Sequence, residues 1–179
     1  MRHLARITLS LFIILSPALC RAENDTITHD FNALVSATSM TLTKTNTVGT
    51  VSDGIVYTCS NSAKFWAGTI GNTLPISINL PSSGSQVVTT KIDNLKAIIG
   101  SYYPVDDLSN IAIQLSTDGS TWDAALAGVS CKGGALHVEF PKGDYWVKIS
   151  STSGSYNVSL KTLQFVIETE FCNCFIYTP

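Results

Sequence analysis

Apolar residues recur at every second position along most of this chain. That is the period of a strand, whose successive side chains point to opposite faces. Met40 and Leu42 alternate with Thr41 and Thr43, and Ile76, Ile78 and Leu80 with Ser77 and Asn79. Ile111, Ile113 and Leu115 alternate with Ala112, Gln114 and Ser116, and Leu136, Val138 and Phe140 with Ala135, His137 and Glu139. Tyr145, Val147 and Ile149 alternate with Asp144, Trp146 and Lys148. Each run predicts a strand with one buried face and one polar face. Shorter apolar runs predict strands at 55–59, 65–66, 87–92, 95–99 and 156–166. In the last of these, Val158 and Leu160 share one parity, whereas Leu163, Phe165 and Ile167 share the other. A β-bulge near Lys161 and Thr162 would restore a single buried face.

Turn signals separate the runs: Ser52-Asp53-Gly54, Pro81-Ser82-Ser83-Gly84-Ser85, Asp118-Gly119, Lys132-Gly133-Gly134, Lys142-Gly143 and Ser153-Gly154. Glycine supplies the positive φ of tight turns. After Ala22 no long window carries a helical period. The stretch from Asp93 to Ile99 has the length of a helical turn, but its β-branched end favours strand. About nine or ten short strands in one domain predict an all-β fold, a β-sandwich with the jelly roll as the expected arrangement. The composition agrees: serine and threonine number 41 of 179 residues, and only 13% are charged.

The start of the chain follows another rule. Arg2 and Arg6 precede an apolar stretch over 7–15, Pro17 breaks it, and Cys20-Arg21-Ala22 places small residues at −3 and −1. This is the layout of a secretory signal peptide, expected to be cut after Ala22. The apolar stretch is short of the ~20 residues that span a bilayer. Leu19, directly before Cys20, departs from the small residue that a lipidation signal wants there. Residues 23–38 are then an N-terminal extension or first edge strand, 39–170 the sandwich, and 171–179 a tail or edge strand.

Removing residues 1–22 takes away Arg2, Arg6 and Arg21, leaving eight lysines against thirteen acids, a net charge of −5. An acidic chain without arginine has no electrostatic footprint for phosphate backbones, so nucleic acid is excluded as a main partner. No other apolar run is long enough to serve as a transmembrane segment. Export permits disulfides. Of Cys59, Cys131, Cys172 and Cys174, the first two are the expected pair, because both fall in or beside strands of the sandwich body. Cys172-Asn173-Cys174 leaves one residue between thiols, too tight for an unstrained direct bridge.

Two segments carry a resemblance. The run Ile111-Ala112-Ile113-Gln114-Leu115-Ser116-Thr117-Asp118-Gly119-Ser120-Thr121-Trp122 resembles the S-x-D-G-x-T-W hairpin of discoidin-like, or galactose-binding-like, jelly rolls. Gly143-Asp144-Tyr145-Trp146-Val147-Lys148-Ile149 resembles a later strand of the same folds. Such modules occur in secreted Bacteroidetes proteins beside polysaccharide-degrading machinery, so the resemblance implies a carbohydrate-binding module. It assigns no ligand residue, because the family's ligands lie in variable loops. Within the hairpin, Asp118 is expected to cap its own turn and Trp122 to pack beneath it.

No G-x-S-x-G, H-E-x-x-H, P-loop or dinucleotide fingerprint occurs. After the leader there are two histidines, His29 in a stretch expected to be flexible, and His137. A glycosidase would need two carboxylates, and Asp106, Asp107, Glu139 and Asp144 are available. Asp106 and Asp107 are also candidate ligands of a structural calcium ion; no other cofactor is expected.

The binding residues follow from parity. With Tyr145, Val147 and Ile149 on the core face, Trp146 and Lys148 share the outer face. Tyr102 and Tyr103, in the loop with the two acids, are the next candidates. Aromatic faces plus polar donors suit a glycan or surface polysaccharide. Two alternatives stand beside this reading: a pilin-like subunit of a surface assembly that self-associates through the tail 171–179, and a small carbohydrate-active enzyme.

Overall fold

The computed structural model describes residues 19–67, 76–154 and 157–173. The expected leader lies outside them as far as residue 18, as do residues 174–179 of the tail. Among the described residues twelve strands and one short helix make an all-β fold. In chain order they are β1 (Leu19–Asp30), α1 (Phe31–Ser36), β2 (Met40–Leu42), β3 (Val48–Val51), β4 (Val56–Ser60), β5 (Lys64–Ala67), β6 (Ile76–Leu80), β7 (Gln86–Thr89), β8 (Ile92–Tyr103), β9 (Ile111–Ser116), β10 (Ser130–Lys132), β11 (Ala135–Ser151) and β12 (Val158–Asn173).

All pairings are antiparallel, and the strands run β2-β3-β4-β7-β11-β8-β12-β6-β5, with β1 on β12 and both β9 and β10 on β11. The long β11 serves two sheets. Residues 135–139 pair with β8, while 146–151 pair with β9 and 148–150 with β7. The expected turn at Lys142-Gly143 is instead a register shift within this one strand. Gly143 permits it, because a Cβ there would run into the Tyr145 ring, whose Cζ lies 2.5 Å away. The two ends of the strand order approach each other. Phe65 N of β5 donates to Asn46 O at 2.8 Å, so the sheet is nearly closed.

The β12 bulge falls where the parity change required it: Leu160 faces Tyr102, Thr162 faces Ser101, and Lys161 is the extra residue. Val158, Leu160, Leu163 and Phe165 therefore all reach one core. Asn94, at φ 56°, lies between two pairing residues of β8, which is strand and not helix there. The helix α1 starts on Asp30, whose Oδ1 accepts from Ala33 N at 3.0 Å, and it drives Phe31 into the core.

Phe31, Tyr57, Phe65 and Phe165 form an aromatic cluster with ring centroids 5.3–6.5 Å apart. It continues into Ile78, Ile98, Ile113, Val147 and Ile149, each essentially inaccessible. Fully burying an aliphatic side chain of this kind contributes ~1.5–3 kcal/mol. The stretch expected to be flexible is part of this frame: His29 lies in β1 and is 2% exposed.

Candidate functional site

The outer-face pair predicted on β11 is present. Val147 and Ile149 point inward, and Trp146 and Lys148 point outward, half-buried. What covers them is the hairpin segment after β9. Asp118 Oδ1 accepts from Ser120 N at 2.8 Å, Thr121 N at 2.7 Å and Ser116 Oγ at 3.0 Å. These donors, led by Thr121 N, hold the carboxyl well below the usual carboxylate range. Asp118 thus caps its own turn. The chain then returns along β9, with Asp123 N on Leu115 O at 3.0 Å and Leu126 N on Ile113 O at 2.8 Å.

The two tryptophans sit differently from expectation. Trp146, not Trp122, lies beneath the turn: a Cβ on Gly119, at φ +75°, would meet the Trp146 ring at 3.1 Å. Trp122 packs instead on Lys148, whose Nζ lies 4.5 Å from its ring centroid. Burial pushes the Lys148 ammonium below its ordinary value. A cation over an indole face gains ~0.5–1 kcal/mol at an exposed site, and more when desolvated. Gln114, opposite Lys148 on β9, donates Nε2 to Asp123 O at 2.7 Å. One indole, Trp122, thus carries the Lys148 ammonium on the outer side of β9 and β11, and Trp146 packs under the Gly119 turn on the same side. Trp122 belongs to this cluster, and its signal was the Thr-Trp that ends the hairpin stretch.

The other predicted residues lie elsewhere. Tyr102 is a core residue, 1% exposed, and its hydroxyl donates to Asp106 O at 2.8 Å. It anchors the loop and presents no stacking face, which corrects its assignment as a ligand residue. Tyr103 is 58% exposed, but it pairs with Ser159 on the other sheet and carries Lys161 at 5.6 Å from its ring centroid. Asp106 and Asp107 are both exposed, and Asp107 Oδ1 accepts from Gly133 N at 3.0 Å. Among the described residues no group of three or more His, Cys, Asp or Glu side chains gathers to hold a metal ion.

Cys59 and Cys131 are free, buried thiols, so the expected bridge between them is not made. Cys59 faces Val87 and Cys131 faces Leu136; their links to β11 run through Ile149 and Leu136, thirteen positions apart on that strand. Burial pushes the two thiols up to about 12 and about 11.

Two further polar features had no sequence signal. His29 Nε2 lies 2.7 Å from Asp53 Oδ2 and its Nδ1 2.6 Å from the Tyr57 hydroxyl. A proton on Nε2, donated to Asp53, leaves Nδ1 to accept from Tyr57 and satisfies all three groups. Burial, with Asp53 adding to it, pushes the Tyr57 hydroxyl well above its ordinary value and keeps it a neutral donor. Tyr57 and His29 are buried in the core, and the network reaches the surface only at Asp53, whose side chain is 38% exposed.

On the outer face of β1, β12, β8 and β11 an open groove of about 420 Å³ has Ala97, Ile99 and Val166 in its lining. Its lysines are paired with an acid, Glu168 taking Lys96 at 3.1 Å and Lys142 at 3.2 Å, and His137 Nε2 lies 3.5 Å from Glu139 Oε1. Both lysine contacts pull the Glu168 carboxyl below its ordinary value. Asp144, between the two register partners Gly143 and Tyr145 of β11, accepts from Asn94 N at 3.0 Å.

No protein-family model matches the chain, and no curated protein matches it. Among the described residues no helix is long and apolar enough to cross a membrane.

Proposed function

We propose that this chain is exported and serves as a non-catalytic binding module, with carbohydrate as the ligand class and the outer side of β9 and β11 as the site. The observation that carries the reading is Lys148 Nζ over the Trp122 ring on that side, outside the core, with Trp146 on the same face of β11 beneath the Gly119 turn. A pyranose ring presents a C–H face that packs on an indole, and its hydroxyls take hydrogen bonds from an ammonium. The test is a glycan array with the exported protein, followed by titration of the best ligand against Trp122→Ala, Trp146→Ala and Lys148→Met. Loss of one stacking face is expected to cost ~1–3 kcal/mol, a roughly 5- to 150-fold weaker Kd. Val147→Ala is the control: it should lower stability by ~1–3 kcal/mol and leave affinity unchanged. Unchanged affinity in both folded tryptophan variants would remove the site.

One observation favours a second reading, a subunit of a surface assembly joined by strand addition. β1 is a twelve-residue edge strand, and no other described strand pairs with its outer edge. Such an edge is a template for another chain. Size-exclusion chromatography over a concentration series separates the readings, since a monomer at all concentrations leaves only the binding module.

A further inference from the structure

The far end of the β1–β12 ladder leaves the sandwich. The pairing of β12 with β8 ends at Ile167 opposite Leu95, whereas its pairing with β1 continues to Asn173 opposite Leu19. Residues 19–24 and 168–173 are therefore a two-stranded ribbon beyond the last strand of the main sheet, and residues 21–24 are exposed on both of its faces. A two-stranded ribbon without a core is marginal in water. At its base Glu168 is held by Lys96 and Lys142, and Glu170 takes Lys142 at 3.2 Å. The register at its tip places Cys20 directly opposite Cys172.

From this juxtaposition we infer that Cys20 and Cys172 form a disulfide that closes the ribbon and ties the first strand of the chain to the last. Directly opposed residues of an antiparallel pair have Cα atoms about 4.5–5.5 Å apart, inside the span of about 4.4–6.8 Å that a disulfide takes. The inference rests on the export reading, because such bonds persist in oxidising compartments. The oxidant is a protein or small-molecule disulfide of that compartment. One cysteine thiolate attacks it to give a mixed disulfide and releases the first oxidant thiol. The other cysteine thiolate then attacks the chain sulfur of that mixed disulfide and releases the second thiol. Two electrons and two protons pass from the cysteines to the oxidant.

The bridge also moves the leader cut. A cut after Ala22 would discard Cys20 and the first four register pairs of β1. Ser16 and Ala18 offer small residues at −3 and −1 for a cut after Ala18, which makes Leu19 the first residue of the mature chain and keeps Cys20 in it.

The test uses the full chain, exported, with free thiols alkylated at harvest, and reads intact mass and a non-reduced peptide map. The expected result is an N-terminus at Leu19 and one cross-linked peptide joining Cys20 to Cys172. The link should survive Cys174→Ser and vanish in Cys172→Ser. An N-terminus at Glu23, a diacylglyceryl adduct on Cys20, or a link from Cys172 to another cysteine overturns the inference and leaves export standing. Recovery only as an unprocessed cytosolic chain sinks the export reading itself. That chain, oxidised with oxidised glutathione, then reads the pairing alone, and absence of the Cys20–Cys172 peptide overturns it.

Discussion

Replacing Tyr57 by Phe removes a single oxygen from the middle of the core. The ring contacts with Phe31 at 5.3 Å and Phe65 at 6.5 Å, and the stacking on Phe165 at 6.5 Å, stay in place. The loss is confined to the 2.6 Å hydrogen bond to His29 Nδ1. His29 is 2% exposed, so the nitrogen left behind cannot find water without the core opening. A buried acceptor stranded in this way costs about 1–3 kcal/mol. For a domain of this length each kcal/mol moves Tm by roughly 2–4 °C, so Tyr57→Phe should melt about 2–12 °C lower. Asp53→Asn is the contrast. Its side chain is 38% exposed and water can replace the partner, so the loss should stay under about 1 kcal/mol. Urea unfolding followed by tryptophan fluorescence, with the m-value unchanged, measures both. A double-mutant cycle between Tyr57→Phe and His29→Leu should give a coupling of at least ~0.5 kcal/mol. If Tyr57→Phe lies within ~0.5 kcal/mol of the parent, or the coupling is nil, the hydroxyl does not serve His29 and the reasoning fails.

Gly119→Ala places a methyl at positive φ and 3.1 Å from the Trp146 ring, so it should cost ~1–2 kcal/mol and shift the tryptophan emission; an unshifted spectrum at full stability would refute the packing of the turn on Trp146. Asp118 has a depressed pKa in the fold, so its charge adds stability above the ordinary value near 3.8 and loses it as pH falls toward the folded pKa. The stability gap between the parent and Asp118→Asn should therefore be full at pH 7 and shrink on acidification below about pH 4, read by Tm across a pH series. Cys59 and Cys131, with thiols held near 12 and 11 by burial, should resist iodoacetamide in native buffer and react once unfolded, which peptide mass mapping checks.

Strand content was legible because each face of a half-buried strand writes itself into every second residue. The same logic located the Lys161 bulge and put Trp146 and Lys148 on the outer face. It failed where local signals are ambiguous. Lys142-Gly143 reads as a hairpin turn, yet here the glycine lets one strand bend past the Tyr145 ring, a contact visible only in three dimensions. β3 and β10, four and three residues long, are too short to show a period. Tyr102 and Tyr103 are adjacent and chemically alike, and strand parity alone did not say which would turn inward. The His29 network joins residues 24 and 28 positions apart, a distance at which a single sequence carries no pattern.

The place of β12 sets the order in which this protein can be made. It is the partner of β1, β6 and β8 at once, and it is the last strand described. A growing chain therefore holds its first strand without its mate until Val158–Asn173 has been synthesised, and a fragment that stops before Val158 lacks the strand that joins β1, β6 and β8. Contacts of such long sequence separation form slowly. Until β12 is present the polypeptide lacks the pairing that joins its first strand to β8 and β6. Ribosome-bound or truncated forms ending before Val158 would lack the same seam and remain open to proteases.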